Sequence, residues 1–211
     1  ALPILKFKLL FLALAFTTLF ANENNFILKH DGLIDQRAQD KIHEIGLEAK
    51  NKLGINIYTF IIENNGIDTA LPREQRREMM KQFDNEIIPS FLAKSSYAIL
   101  VISIDQKYAN ILMSDNLKKQ IDKDEILDGY VIPLLASKDK NSLFSKTSAA
   151  TLNGYAQIAD SIASQQNIKL VSSIGSAGKT ASSIWKVFMY FLVLTGIISY
   201  TVIVMRQRKS K

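Results

Sequence analysis

Residues 97–113 read YAILVISIDQKYANILM. Tyr97–Ile104 is apolar at odd and even positions alike, which suits a strand buried on both faces near the centre of a sheet. Tyr108–Met113 alternates more, as a strand with one wetter face does. Only Asp105, Gln106 and Lys107 separate the two. That length closes a hairpin and is too short for the crossover that a parallel pair needs. An antiparallel pair is therefore written into this stretch.

Upstream, Pro72 opens a charged amphipathic helix, REQRREMMKQFDNEIIPSFL, whose apolar face is Met79, Met80, Phe83, Ile87 and Ile88. Pro89 kinks or ends it. ENNGIDTALP is a turn-rich loop, and INIYTFII (Ile55 to Ile62) reads as a strand from its β-branched and aromatic residues. Asp35 is placed to cap a helix running to Leu53, with Ala38, Ile42, Ile45, Ala49 and Leu53 on one stripe and Gly54 at its end. Downstream, helices are expected over Asp124–Ala136 and Ser142–Gln165, the latter burying Leu152, Tyr155, Ile158, Ala159 and Ile162. The order helix, strand, helix, hairpin, helix, helix predicts an α/β (α+β) domain, a small mixed β-sheet with helices packed on it.

The two ends read differently from the middle. Lys6 and Lys8 precede Leu9 to Phe20, an apolar run of 12 residues, the pattern of a secretory signal over residues 1–21. Val187 to Met205 is 19 residues without a charge, about 28 Å of helix at ~1.5 Å per residue. Trp185, Tyr190 and Tyr200 suit an interfacial belt, and the tail RQRKSK suits the cytoplasmic side. The expected organisation is a signal peptide (1–21), an extracytoplasmic, periplasmic domain (22–165), a Ser/Gly-rich flexible tether (166–184), a C-terminal transmembrane helix (185–205) and a basic cytoplasmic tail (206–211).

Charge placement excludes the most obvious partner of a chain with net charge +6. Residues 22–184 hold 19 basic and all 20 acidic residues, a net of −1, so the basicity belongs to the ends and is not a nucleic-acid footprint. With no Cys, disulfides, thiolate zinc sites and thiol nucleophiles are excluded. GSAGKT (Gly175 to Thr180) lacks the first P-loop glycine, since Ser173 stands there, and no strand precedes it; no nucleotide site is expected. His43-Glu44 begins like a zinc-protease motif, but Leu47 occupies the second histidine's place. His30 is the only other histidine, and no nucleophile–base pair is evident, so no catalytic residue is assigned. Asp31, Asp105, Asp115, Asp122, Asp124 and Asp128 fall at loop ends, where aspartate serves as turn former, as cap or as ligand of a hard cation.

In this order the segments resemble the TPM domain family over about residues 26–163. HDGLID, with Asp31, Leu33 and Ile34, matches the family's opening into a first helix. KLGINIYTFII matches its following strand, and ILVISIDQKYANILM its central hairpin. IDKDEILDGYVIPLL, with Asp122, Ile132 and Pro133, matches an acidic position followed by an Ile-x-Pro helix. AKSSY stands where members carry an Asn-Gly turn, and SDNLKKQ where they carry a Gly-x-Gly stretch. The resemblance implies one of two roles. The first is a membrane-anchored accessory protein serving assembly, quality control or repair of an integral membrane complex. The second is a phosphatase dependent on Ca²⁺ or Mg²⁺, with Asp31, Asp105 and Asp122 as metal ligands.

Overall fold

A computed structural model describes residues 25–92 and 95–174, together with Leu194 and Thr195. The expected signal peptide, the transmembrane helix apart from Leu194 and Thr195, the basic tail and tether residues 175–184 with GSAGKT lie outside the described residues. Among the described residues, no helix is long and apolar enough to cross a membrane. The chain divides into two units, 1–173 and 174–211; in the second only Ile174, Leu194 and Thr195 are described.

The first unit is built on a four-stranded sheet in the order β1-β2-β3-β4. Its elements are β1 (Ile27–Lys29), α1 (Gln36–Leu53), β2 (Asn56–Ile62), α2 (Arg73–Glu86), β3 (Tyr97–Ser103) and β4 (Tyr108–Met113). There follow α3 (Lys123–Ile126), a π-helical turn (Leu127–Val131), α4 (Ile132–Leu135) and α5 (Leu143–Gln165). β1, β2 and β3 run parallel, and β4 returns antiparallel to β3. The mixed sheet expected from the hairpin is thus observed. The loop is one residue longer than expected, Ile104 to Lys107, because Ser103 and Tyr108 are the last pair of the ladder; Lys107, at φ 49, supplies its left-handed residue, and its N–H returns to the Ile104 carbonyl at 2.9 Å. β1 was not foreseen: three residues are too few for a periodicity to show.

Local chemistry sets the helix boundaries. Asp35 accepts from the Ala38 N–H at 2.7 Å and caps α1, and Gly54 ends that helix at φ 68. Ser142 caps α5 through the Ser145 N–H. The helix expected over Asp124–Ala136 forms, but with a widened π turn before Pro133. Proline offers no N–H and its ring crowds the carbonyl four residues back, here that of Gly129, so the turn opens to admit it.

The register divides the sheet into two faces. Thr59, Leu100 and Ile111 share one face, and Phe60, Val101 and Asn110 share the other. α5 covers the first so closely that a Cβ on Gly154 would lie 2.6 Å from Val131 and 2.9 Å from Leu100. α1 packs beside α5 there, burying Ile42, Ile45 and Ala49. α2 lies on the second face, where Phe83 meets Phe60 edge-on at 6.0 Å between centroids. Its expected apolar face is only partly buried: Met80 is covered, Met79 is 40% exposed, and Asp84 is buried in their company.

Residues 166–173, assigned to the tether, pack onto the domain. Asn167 turns the chain at φ 55, and the Ile168 N–H reaches the Ala163 carbonyl at 2.8 Å, closing α5 with a Schellman-type bond. Leu170 is then buried, and the Val171 and Ser172 N–H groups both donate to the Glu48 carboxylate, at 2.8 and 2.7 Å. The Ser172 hydroxyl also donates to Glu48, and the Ser173 hydroxyl donates to Asp160 at 2.6 Å. A serine-rich stretch reads as a linker because nothing local shows that carboxylates await it.

Candidate functional site

In an open sheet containing parallel strands, ligands gather where the strands' C-terminal ends meet. Here that end carries Asp31 after β1, Glu63 to Ile67 after β2, and Asp105 and Gln106 after β3. Asp31 sits at φ 43 and Gly32 at φ 73, a turn fastened by the Leu33 N–H on the His30 carbonyl at 2.7 Å. This turn aims the Asp31 carboxylate at the next loop, where it accepts from the Glu63 N–H at 3.2 Å, while Lys29 stands 3.5 Å from its other oxygen. The Glu63 carbonyl in turn accepts from the Asp105 N–H at 2.9 Å. The Asp105 carboxylate accepts from the Asn64 amide at 2.7 Å.

Gln106 ties the centre of this end. Its oxygen accepts from the Ser103 hydroxyl at 2.6 Å and from the Asn65 N–H at 3.1 Å. Its nitrogen donates to the Asn64 side-chain oxygen and to the Ile67 carbonyl, both at 3.1 Å. Asn64 and Asn65 also accept from the Gly66 and Ile67 N–H groups, at 2.7 and 3.0 Å, the two-residue turns that asparagine favours. All four hydrogen-bonding positions of the Gln106 amide are therefore used within the protein.

The structure thus brings Asp31 and Asp105 to one end of the sheet, linked through the Glu63 peptide. Asp122 is not among them. It follows the antiparallel β4 and caps α3, accepting from the Glu125 N–H at 3.0 Å. Because β4 runs opposite to β3, its C-terminal end pairs with the start of β3, Met113 with Ala98. Among the described residues no three His, Asp or Glu side chains form a group that could hold a metal ion. Asn64, Asn65 and Gln106 were missed as site residues. The first two read only as turn formers, and a glutamine in a hairpin loop gives no local sign of what it will tie.

A second polar cluster lies on the α2 face. Asp84 is 9% exposed, and one of its oxygens accepts from the Tyr108 hydroxyl at 2.6 Å and from the Asn110 amide at 2.7 Å. Its other oxygen is buried with no hydrogen-bond partner among the described residues. Burial raises the Asp84 carboxyl above the ordinary aspartate range, against the lowering effects of Tyr108, Asn110 and Lys123. Burial, and then the neighbouring Asp84, likewise push the Tyr108 phenol far up. His43 is exposed on α1; it lines an open groove with Asn25, Phe26, Ile27, Gln39 and Asp40, and its ring lies 5.6 Å from that of Phe26.

No family model matches the chain, and no curated protein matches it. Among solved structures, it is similar to the N-terminal domain of a protein from P. gingivalis, determined by solution NMR. The TM-score is 0.50 at 12% identity, over 71% of this chain and 89% of that one. At that identity the likeness is one of fold, a mixed α/β sheet with its helices.

Proposed function

We propose that this chain is a membrane-anchored, extracytoplasmic accessory protein with a TPM-like domain, serving the assembly, quality control or repair of an integral membrane complex. The observation that carries this reading is the ledge at the C-terminal end of the parallel strands. Its carboxylates and amides are committed to holding three loops in one shape, as a recognition surface requires, with Gln106 as the central tie. The anchor and the topology rest on the charge-free run at 187–205 and its basic flank. The test is recovery of partners by the full chain from gently solubilised membranes, native against Gln106→Ala. A specific integral membrane partner, depleted by the substitution, supports the reading; recovery of none sinks it.

A second reading, a Ca²⁺- or Mg²⁺-dependent phosphatase, is favoured by one observation: Asp31 and Asp105 stand at the same strand end, the Asp31 carboxylate accepting from the Glu63 N–H and the Asp105 N–H donating to the Glu63 carbonyl. In that case Asp122, which caps α3 at the other end of the sheet, stands apart from the metal. If neither ion shifts the melting temperature and no phosphate ester is hydrolysed, this reading is excluded.

A further inference from the structure

A sheet with two open sides must keep both edge strands from pairing with other chains, and charge, proline or bulges are the usual means. Among the described residues β4 is one such edge, and its sequence, YANILM, has neither charge nor proline. The ladder shows which of its groups face outward. The Ser114 N–H donates to the Tyr97 carbonyl, so Tyr108, Asn110 and Leu112 present their main-chain groups to β3. Ala109, Ile111 and Met113 present theirs to the outside. The central outward donor is the Ile111 N–H, and it is taken: the Asn110 side-chain oxygen accepts from it at 2.9 Å.

That oxygen is held in place from the other end of the same amide. The Asn110 nitrogen lies 2.7 Å from the Asp84 carboxylate and 3.0 Å from the Tyr108 oxygen, and Tyr108 itself donates to Asp84. Asp84 comes from α2, so a helix residue fixes the rotamer by which a strand residue closes the strand's own edge. We propose that Asn110, aimed by Asp84, is the guard that keeps β4 from adding to the β4 of a second copy of this chain. The second copy is the occupant because the edge is self-complementary. A twofold axis through Ile111 places the Ile111 N–H against the Ile111 carbonyl of the other copy, and no charge in YANILM repels its own image.

The test uses the full chain in mild detergent, labelled with ¹⁵N-isoleucine. In the native chain the Ile111 amide is expected to be protected despite facing outward. In Asn110→Ala it is expected to exchange at least tenfold faster, and in Asp84→Ala to accelerate too, while Ile99 and Ile102 in β3 stay protected. Sedimentation equilibrium in density-matched detergent is expected to show a monomer for the native chain and a concentration-dependent dimer for Asn110→Ala. If alanine unfolds the sheet, seen as loss of Ile99 protection, Asn110→Val retains strand propensity without the acceptor and is measured in its place. Unchanged Ile111 exchange in the folded Asn110 variant overturns the proposal. So does a variant that stays monomeric while its Ile111 amide exchanges freely.

Discussion

The Tyr155 hydroxyl, wholly buried on α5, donates to the main-chain carbonyl of Ile57 at 2.9 Å. Thr59, two residues further along β2, gives its N–H to Phe26, so Ile57 faces the same edge, ahead of the point where β1 begins. A helix side chain thus completes a strand that β1 is too short to pair. Tyr155→Phe removes that donor and leaves the carbonyl buried. A loss of about 1–3 kcal/mol in unfolding free energy is expected from urea titration, with the fold retained. A loss under a few tenths would show that the carbonyl finds another partner.

Gly46 makes room for this contact. A Cβ there would lie 2.4 Å from both the Phe26 ring and the Tyr155 hydroxyl. Gly46→Ala ordinarily favours a helix; here it is expected to destabilise by about 1–3 kcal/mol, because overpacking of α1 against Phe26 and α5 outweighs the gain in propensity. Thermal melts of the two proteins decide the sign.

Gln106→Ala removes four hydrogen bonds at once from the strand-end ledge. The loops after β2 and β3 should loosen, with amide exchange of Asn65 and Ile67 accelerating most and a global loss of about 1–2 kcal/mol. An unchanged exchange pattern would mean the Asn64 and Asn65 turns hold without it.

Glu48 makes the docked segment sensitive to pH. Burial alone would raise its carboxyl, but Lys52, the Ser172 hydroxyl and the Val171 and Ser172 N–H groups together hold it down to about 2 from 4.5. A depressed carboxyl contributes stability that is present above 4.5 and lost as pH falls from 4.5 toward 2. At a site partly open to solvent that is on the order of 1–2 kcal/mol. Limited proteolysis after residue 166 should therefore accelerate through this pH window in the native chain. Glu48→Gln should be cleaved faster already at neutral pH, with little further change on acidification.

The parts of this fold that could be read in the chain are those whose cause is local. Asp35, Gly54 and Ser142 bound their helices where they stand, because caps and left-handed turns act over four residues. The hairpin follows from a connector too short for anything else. The candidate site was legible only in part: Asp31 and Asp105 were marked by their loops, and Asp122 carried the same mark while serving as a cap at the other end of the sheet. Chain direction separates them, and no single loop records it.

The sequence by itself determined the elements other than β1, the antiparallel pair, the nearly neutral domain and the basic ends, since propensity, spacing and charge are properties of neighbouring residues. Only the tertiary structure decided that Asp84 is buried on the face of a charged helix, that Glu48 gathers a serine-rich segment onto the domain, and that Gln106 joins the loops after β2 and β3. Each of these depends on donors and acceptors far apart in sequence that meet because the packed sheet leaves a buried polar group no other partner.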